Sequence, residues 1–256
     1  MISCWDIARL SGKATDDMSD PDPSNDARSV AGWKRAAAEA AVADVADGMT
    51  VGLGTGSTAA FAIEALGRRV REGLDCRAVA TSNRTADLAS RAGITLMPLG
   101  DVAEIDLAID GVDEIDPELR AIKGAGGAML REKIVASAAR RMIAIADRSK
   151  AVDRLGTRAV PVEVLSLARA FVERRLMTLC CDPILRRAEG QAVLTDQGNL
   201  IFDCHFADLG DLPALDAHLS AIPGLAGHGL FLTEIDALYL GGPQGVIRSG
   251  RQPRPD

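Results

Sequence analysis

Apolar positions between residues 30 and 150 fall into two alternating patterns. Short, nearly all-apolar runs recur as TVGLG (50–54), CRAVATS (76–82), ITLMPL (94–99), DLAIDG (106–111) and MIAIAD (142–147). Longer stretches between them, SNRTADLASRAG and GGAMLREKIVASAARR, read as helices. Strands that are apolar on both faces and alternate with helices predict a parallel sheet covered on both sides. Ahead of the first strand, AGWKRAAAEAAVADVADG is rich in helix formers, and Gly48 is its stop.

Further along, the rhythm changes. SLARAFVERRLMTLC predicts a helix, QAVLTDQGNLIFDCHF a hairpin turning at Asp196–Asn199, and DLPALDAHLSAI a second helix. GLFLTEIDALYLG then returns as strand, its end near Ala237–Gly241 rejoining the main sheet. The order predicts a small α+β unit of split-βαβ, ferredoxin-like type beside the α/β Rossmann-like parallel sheet. The expected organisation is a disordered tail (1–28), a Rossmann-like catalytic domain (29–155 plus 232–247), a small α+β domain (156–231) and a loose tail (248–256). Residues 13–28 are polar, acidic and proline-containing. Nothing before Met18 reads as foldable, which makes Met18 a candidate translation start.

Composition narrows the function classes. A chain of 256 residues can bury a real core, and a net charge of −7 with 3% aromatic residues argues against a nucleic-acid surface. The five cysteines (4, 76, 180, 181 and 204) are odd in number and form no CxxC, as expected of reduced thiols in a cytoplasmic protein. No run approaches the ~20 apolar residues needed to span a bilayer, and the N-terminus lacks the pattern of a signal peptide.

Ligands of open parallel sheets bind beyond the carboxyl ends of the strands. Four of those ends are polar here: Gly54–Thr58, Thr81–Ser82–Asn83, Asp110 with Gly111, Val112, Asp113 and Glu114, and Asp147 with Arg148, Ser149 and Lys150. The glycine-rich turn GTGST does not fit a dinucleotide fingerprint, because its glycines stand at 52, 54 and 56 and no acid ends the second strand. It has no lysine for a P-loop either. What remains is a cradle for one phosphate, built from backbone N–H groups and the hydroxyls of Thr55, Ser57 and Thr58, or a plain turn with Ser57 as helix N-cap. IDGVDEID is open to three readings: a solvated acidic loop, a Mg²⁺ site, or a catalytic pair. Lys123 precedes the glycine cluster GAGGA, which suits close approach of backbone to a ligand, and Glu132 taken alone is a helix-surface charge. All three histidines (205, 218, 228) lie in the smaller unit, away from these turns.

Together GTGSTA (54–59), DGVDE (110–114), KGAGGAMLREK (123–133) and DRSK (147–150) resemble ribose-5-phosphate isomerase, type A. PVEV (161–164), TDQGN (195–199) and IPGL…GLF (222–231) agree, and the resemblance covers about residues 30–247. The family pattern usually reads DGADE, so Val112 is a small departure. The resemblance implies interconversion of D-ribose 5-phosphate and D-ribulose 5-phosphate with no metal or organic cofactor. It implies Glu132 as the base, with Asp110, Asp113 and Lys123 handling ring opening and oxygen charge. Thr55, Gly56, Ser57, Thr58, Gly111, Val112, Gly124, Ala125, Gly126 and Lys150 would bind substrate, and Lys34 would reach the phosphate. A homodimer or homotetramer, with no nucleic-acid or membrane partner, is the implied state.

Overall fold

The alternating strands and helices of the sequence assemble as one parallel sheet, and the rhythm change marks a second, antiparallel one. The computed structural model describes residues 23–251, with side chains from residue 30 onward. Helix α1 (Pro23–Val42) leads to β1 (Thr50–Leu53), α2 (Ser57–Arg71), β2 (Arg77–Ala80), α3 (Asn83–Arg91), β3 (Thr95–Leu96) and β4 (Leu107–Gly111). Two short strands, β5 (Glu114–Ile115) and β6 (Ala121–Ile122), precede α4 (Met129–Ala138) and β7 (Met142–Asp147). Next come β8 (Val160–Val164), α5 (Arg169–Met177), β9 (Cys181–Leu185), β10 (Arg187–Ala188) and β11 (Gln191–Ala192). The chain ends through β12 (Leu200–Phe206), α6 (Leu212–Ser220), β13 (Leu225–His228), β14 (Leu230–Phe231), β15 (Ala237–Gly242) and β16 (Gly245–Gly250).

The main sheet has the order β16-β15-β7-β4-β1-β2-β3. All neighbours from β15 to β3 are parallel, and β16 closes the edge antiparallel. From β1 the chain moves outward to β2 and β3, then returns to place β4 on the other side of β1. That reversal opens a crevice at the carboxyl ends of β1 and β4, where such sheets bind ligands. Both faces are covered, as the all-apolar strands require. Along β7, Ile143 and Ile145 join Ala37, Ala41, Ala62 and Leu66 of α1 and α2. Its Met142, Ala144 and Ala146 face the other way, into a cluster with Val135 and Ala136 of α4 and Phe231.

The smaller unit runs β8–α5–β9–β12–α6–β13, a ferredoxin-like split βαβ with the antiparallel order β13-β8-β12-β9. Val160, Val162 and Val164 of β8 meet Val172, Leu176, Phe202 and Leu219 in its core. A third sheet, β14-β6-β5, joins the two units.

Four sequence expectations change. Helix α1 begins at Pro23, inside the segment expected to be tail; proline suits a first turn, where its missing N–H is not needed. Residues 1–22, with Met18 among them, and 252–256 lie outside the described residues. The hairpin at 191–206 keeps its turn, with Thr195 N–H donating to Asn199 O. Its arms part, however: β12 pairs with β8 and β9, which buries Phe202 and Cys204, and β11 pairs with β10. GLFLTEIDALYLG is two strands in two sheets, β14 and β15. Of the tail expected at 248–256, residues 248–250 belong to β16, which folds back on β15 through the Gly242–Gly245 turn from Ala237↔Gly250 inward.

Candidate active site

Four polar strand ends, those of β7, β4, β1 and β2, lie side by side at one edge of the sheet. After β1 the chain turns through Gly54, Thr55 and Gly56, and α2 starts at Ser57. The N-cap is Gly56 (φ +115°), not Ser57, and no side chain caps the helix. Its first N–H groups therefore stay available to an anion. Ser57 instead accepts a hydrogen bond from Lys34 Nζ at 3.1 Å. Gly54 is dictated by its neighbour, since a Cβ there would stand 1.8 Å from Asp110 Oδ1. That oxygen accepts hydrogen bonds from the N–H groups of Thr55 (3.0 Å) and Gly111 (2.7 Å), which ties the ends of β1 and β4 together.

The end of β2 has a supporting task. The Thr55 hydroxyl meets Thr81, Ser82 and Thr85 at 2.8, 2.9 and 3.2 Å, and Thr85 also donates to Gly54 O. In the sequence Thr81 and Ser82 stand out only as a polar strand end, and no local pattern marks Thr85. Their hydroxyls fix the back of the phosphate-sized turn.

Lys123 follows β6 and is buried together with two acids. Its ammonium donates to Asp110 Oδ2 at 2.8 Å and to Gly111 O at 2.5 Å, and lies 3.3 Å from Glu132 Oε2. Relative exposures are 2% for Lys123, 3% for Asp110 and 4% for Glu132, so Glu132 is no surface charge. α4 begins at Met129, packs Val135 and Ala136 onto the sheet, and so turns its first-turn Glu132 inward. Glu132 Oε2 has no hydrogen-bond partner, because its approach to Lys123 is close but poorly aligned.

Two carboxylates thus share one ammonium. Burial, reinforced by Asp110, pushes the Glu132 carboxyl up to about 8 despite the opposing pull of Lys123. Burial also raises Asp110. For Lys123 burial acts downward, but Asp110 and Glu132 outweigh it and hold the ammonium above its ordinary value. A Mg²⁺ at Asp110 would have to displace this ammonium and two backbone donors, so the acidic loop already holds a cation of its own. Asp113 turns to the glycine loop, accepting from Ala125 N–H at 2.9 Å. Lys123 is also anchored through its main chain, donating to Gly229 O at 2.9 Å, and its ammonium lies 5.4 Å from the Phe231 ring centroid. Neither Gly229 nor Phe231 was singled out from sequence for this contact.

Thr55–Thr58, Gly111–Asp113, Lys123–Gly126, Glu132, Lys34 and Lys150 border one cavity of about 220 Å³. Asp110 stands one layer behind, reaching the cavity through Lys123. The Lys34 and Ser57 pair brings a cation to the α2 N-terminus. Asp147, at the end of β7, caps Ser149 N–H just before Lys150 and lies 3.9 Å from Lys34. The space is below the range of drug-sized sites and suits a small metabolite, not a dinucleotide.

A family model described as ribose 5-phosphate isomerase A (phosphoriboisomerase A) matches residues 77–245. Ribose-5-phosphate isomerase A of Roseiflexus castenholzii is 48% identical over 219 residues, covering 84% of this chain and 94% of that protein. Among solved structures, ribose 5-phosphate isomerase A from Neisseria gonorrhoeae has a TM-score of 0.81 at 38% identity, covering 86% of this chain and 97% of that one. A D-ribose-5-phosphate isomerase in complex with phospho-erythronic acid has a TM-score of 0.83 at 36% identity, covering 87% and 99%. Identity of 48% across nearly the full length of a relative, carried on the same two-unit fold, means that this chain belongs to the ribose-5-phosphate isomerase A family.

Proposed function

We propose that this chain is an aldose–ketose isomerase that interconverts D-ribose 5-phosphate and D-ribulose 5-phosphate, with Glu132 as the general base. The observation that carries the assignment is a buried carboxylate with an unbonded oxygen, 3.3 Å from a buried ammonium, in a cavity that also holds an uncapped helix N-terminus. The phosphate sits at the α2 N-terminus with Lys34 and Lys150, so its binding energy positions the reacting carbons. In the open-chain aldose, Glu132 removes the proton from C2 and the electron pair flows into the C1 carbonyl, giving an enediolate. Return of that proton to C1, with the O2 proton passing to O1, leaves the ketose. Lys123 answers the negative charge that builds on oxygen and so stabilises the transition state more than the ground state. Asp110 keeps that ammonium charged and aimed, and Asp113 serves ring opening beside the glycine loop. Phospho-erythronic acid, bound by one of the solved relatives, carries a carboxylate where the substrate would carry the enediolate oxygens.

The test is formation of ribulose 5-phosphate from ribose 5-phosphate in excess EDTA. Full turnover is expected, since no step needs a metal; loss of turnover on chelation alone would overturn the metal-free mechanism. A pH profile probes the base. Because Glu132 acts as carboxylate and its carboxyl is pushed up to about 8, kcat/KM should climb through pH 8 and level only above about pH 9. A profile flat from pH 6 to pH 9 would contradict the role given to Glu132. Family membership further supports a cytoplasmic homodimer or homotetramer in pentose phosphate metabolism, with a small sugar phosphate as its partner and no cofactor.

A further inference from the structure

Arg186 belongs to the smaller unit, between β9 and β10, yet its guanidinium reaches the loop that lines the cavity. Nη1 donates to the carbonyl oxygens of Gly124 (3.2 Å) and Ala125 (3.0 Å). The other edge, Nε and Nη2, is gripped by both carboxylate oxygens of Asp203 on β12, with Nε at 2.9 Å. Only a planar fork can hold a carboxylate with one edge and two carbonyls with the other. From the opposite side, Asp113 accepts from Ala125 N–H. The glycine loop is therefore clamped between a carboxylate of the main unit and a cation of the smaller one.

The clamp fixes which way the next peptide points. In a trans peptide the C=O and the following N–H lie on opposite sides. With Ala125 C=O turned to Arg186, the Gly126 N–H points away from Arg186. Gly126 borders the cavity and Arg186 does not. Among the described residues this N–H has no acceptor.

We infer that Arg186, braced by Asp203, is a positioning residue for the isomerisation, holding the Gly124–Gly126 loop so that Gly126 N–H faces the oxygen on which enediolate charge develops. The inference rests on the isomerase reading above. A donor aimed at developing charge acts mainly in the transition state, so its misalignment lowers kcat more than substrate affinity. None of the clamp's hydrogen bonds reaches the α2 N-terminus, so the phosphate cradle there is expected to stay intact.

Arg186→Met should lower kcat roughly 10- to 100-fold and weaken inhibition by phospho-erythronic acid by a similar factor. Competitive inhibition by inorganic phosphate should stay unchanged. Arg186→Lys, which keeps a cation against the carbonyls, should recover part of kcat, and Asp203→Asn should reproduce a milder loss with the same split. Unchanged kcat in Arg186→Met, or equal weakening of phosphate and phospho-erythronic acid, would overturn the inference. Equal kcat in the Lys and Met variants would do so too, even if both are less stable. An unaltered chain with no turnover would instead defeat the isomerase reading itself.

Discussion

Glu132→Gln is expected to lower kcat by roughly 10²–10⁴-fold while KM for ribose 5-phosphate changes little. The amide keeps the size of the side chain but cannot accept the C2 proton, and it stands apart from the phosphate cradle. The same change should raise thermal stability, for a reason with a definite sign. Glu132 has an ordinary value of 4.5 and a folded value of about 8, so between those limits the folded state binds a proton that the unfolded state releases. Its contribution to stability is therefore present at low pH and falls as pH rises from about 4.5 to about 8. The melting-temperature advantage of Glu132→Gln over the unaltered chain should widen across that window. Glu118→Gln is the control, since Glu118 is a 64% exposed partner of Arg120. Equal loss of activity in both variants would remove Glu132 from its role.

Lys123→Met should damage both activity and stability. Removing the cation proposed to meet the enediolate oxygen is expected to cost about 10²–10³ in kcat. It also leaves Asp110 and Glu132 buried without their shared ammonium, and stranding a buried charge destabilises by about 3–5 kcal/mol. Protonation of Glu132, already raised to about 8, relieves part of that penalty near neutral pH. Asp110 is held by two backbone donors at 3.0 and 2.7 Å, so it stays the more exposed to the loss. Adding Asp110→Asn to Lys123→Met should restore much of the chemical-denaturation midpoint and none of the turnover. If the double variant is no more stable than the single one, the ion pair is not what Lys123 contributes to the fold.

Much of this was visible in the sequence because parallel strands announce themselves. A strand apolar on both faces must be central, and its carboxyl end must then be where polar residues gather, as Asp110, Asp147 and the Gly54–Thr58 turn do. The inward turn of Glu132 was not legible from spacing. It depends on α4 packing Val135 and Ala136 against the sheet, and the family resemblance alone pointed to the residue. Strand β9 was hidden by Pro183, which discourages a strand reading; the fold tolerates it because β9 is an edge. β16 was missed because GVIRSG has too few apolar residues to declare a strand, and it forms by lying along β15. Residue preference offers Ser57 as the N-cap of α2 only in the plain-turn alternative, whereas Gly56 takes that place at φ +115° and frees the hydroxyl for Lys34. Thr85 and Arg186 act on loops distant in sequence, which no local pattern reports.

The anchoring of Lys123 also orders events in time. Strands β1 to β4 and β7, with Asp110, Asp113 and Glu132 on or beside them, are all synthesised by residue 147. Lys123 then still lacks the carbonyl of Gly229 and the ring of Phe231, which emerge about a hundred residues later. A nascent chain stopped short of Gly229 would contain every side chain proposed for catalysis but lack the main-chain anchor of Lys123. Isomerase activity is therefore expected only once the C-terminal part is present to hold the lysine.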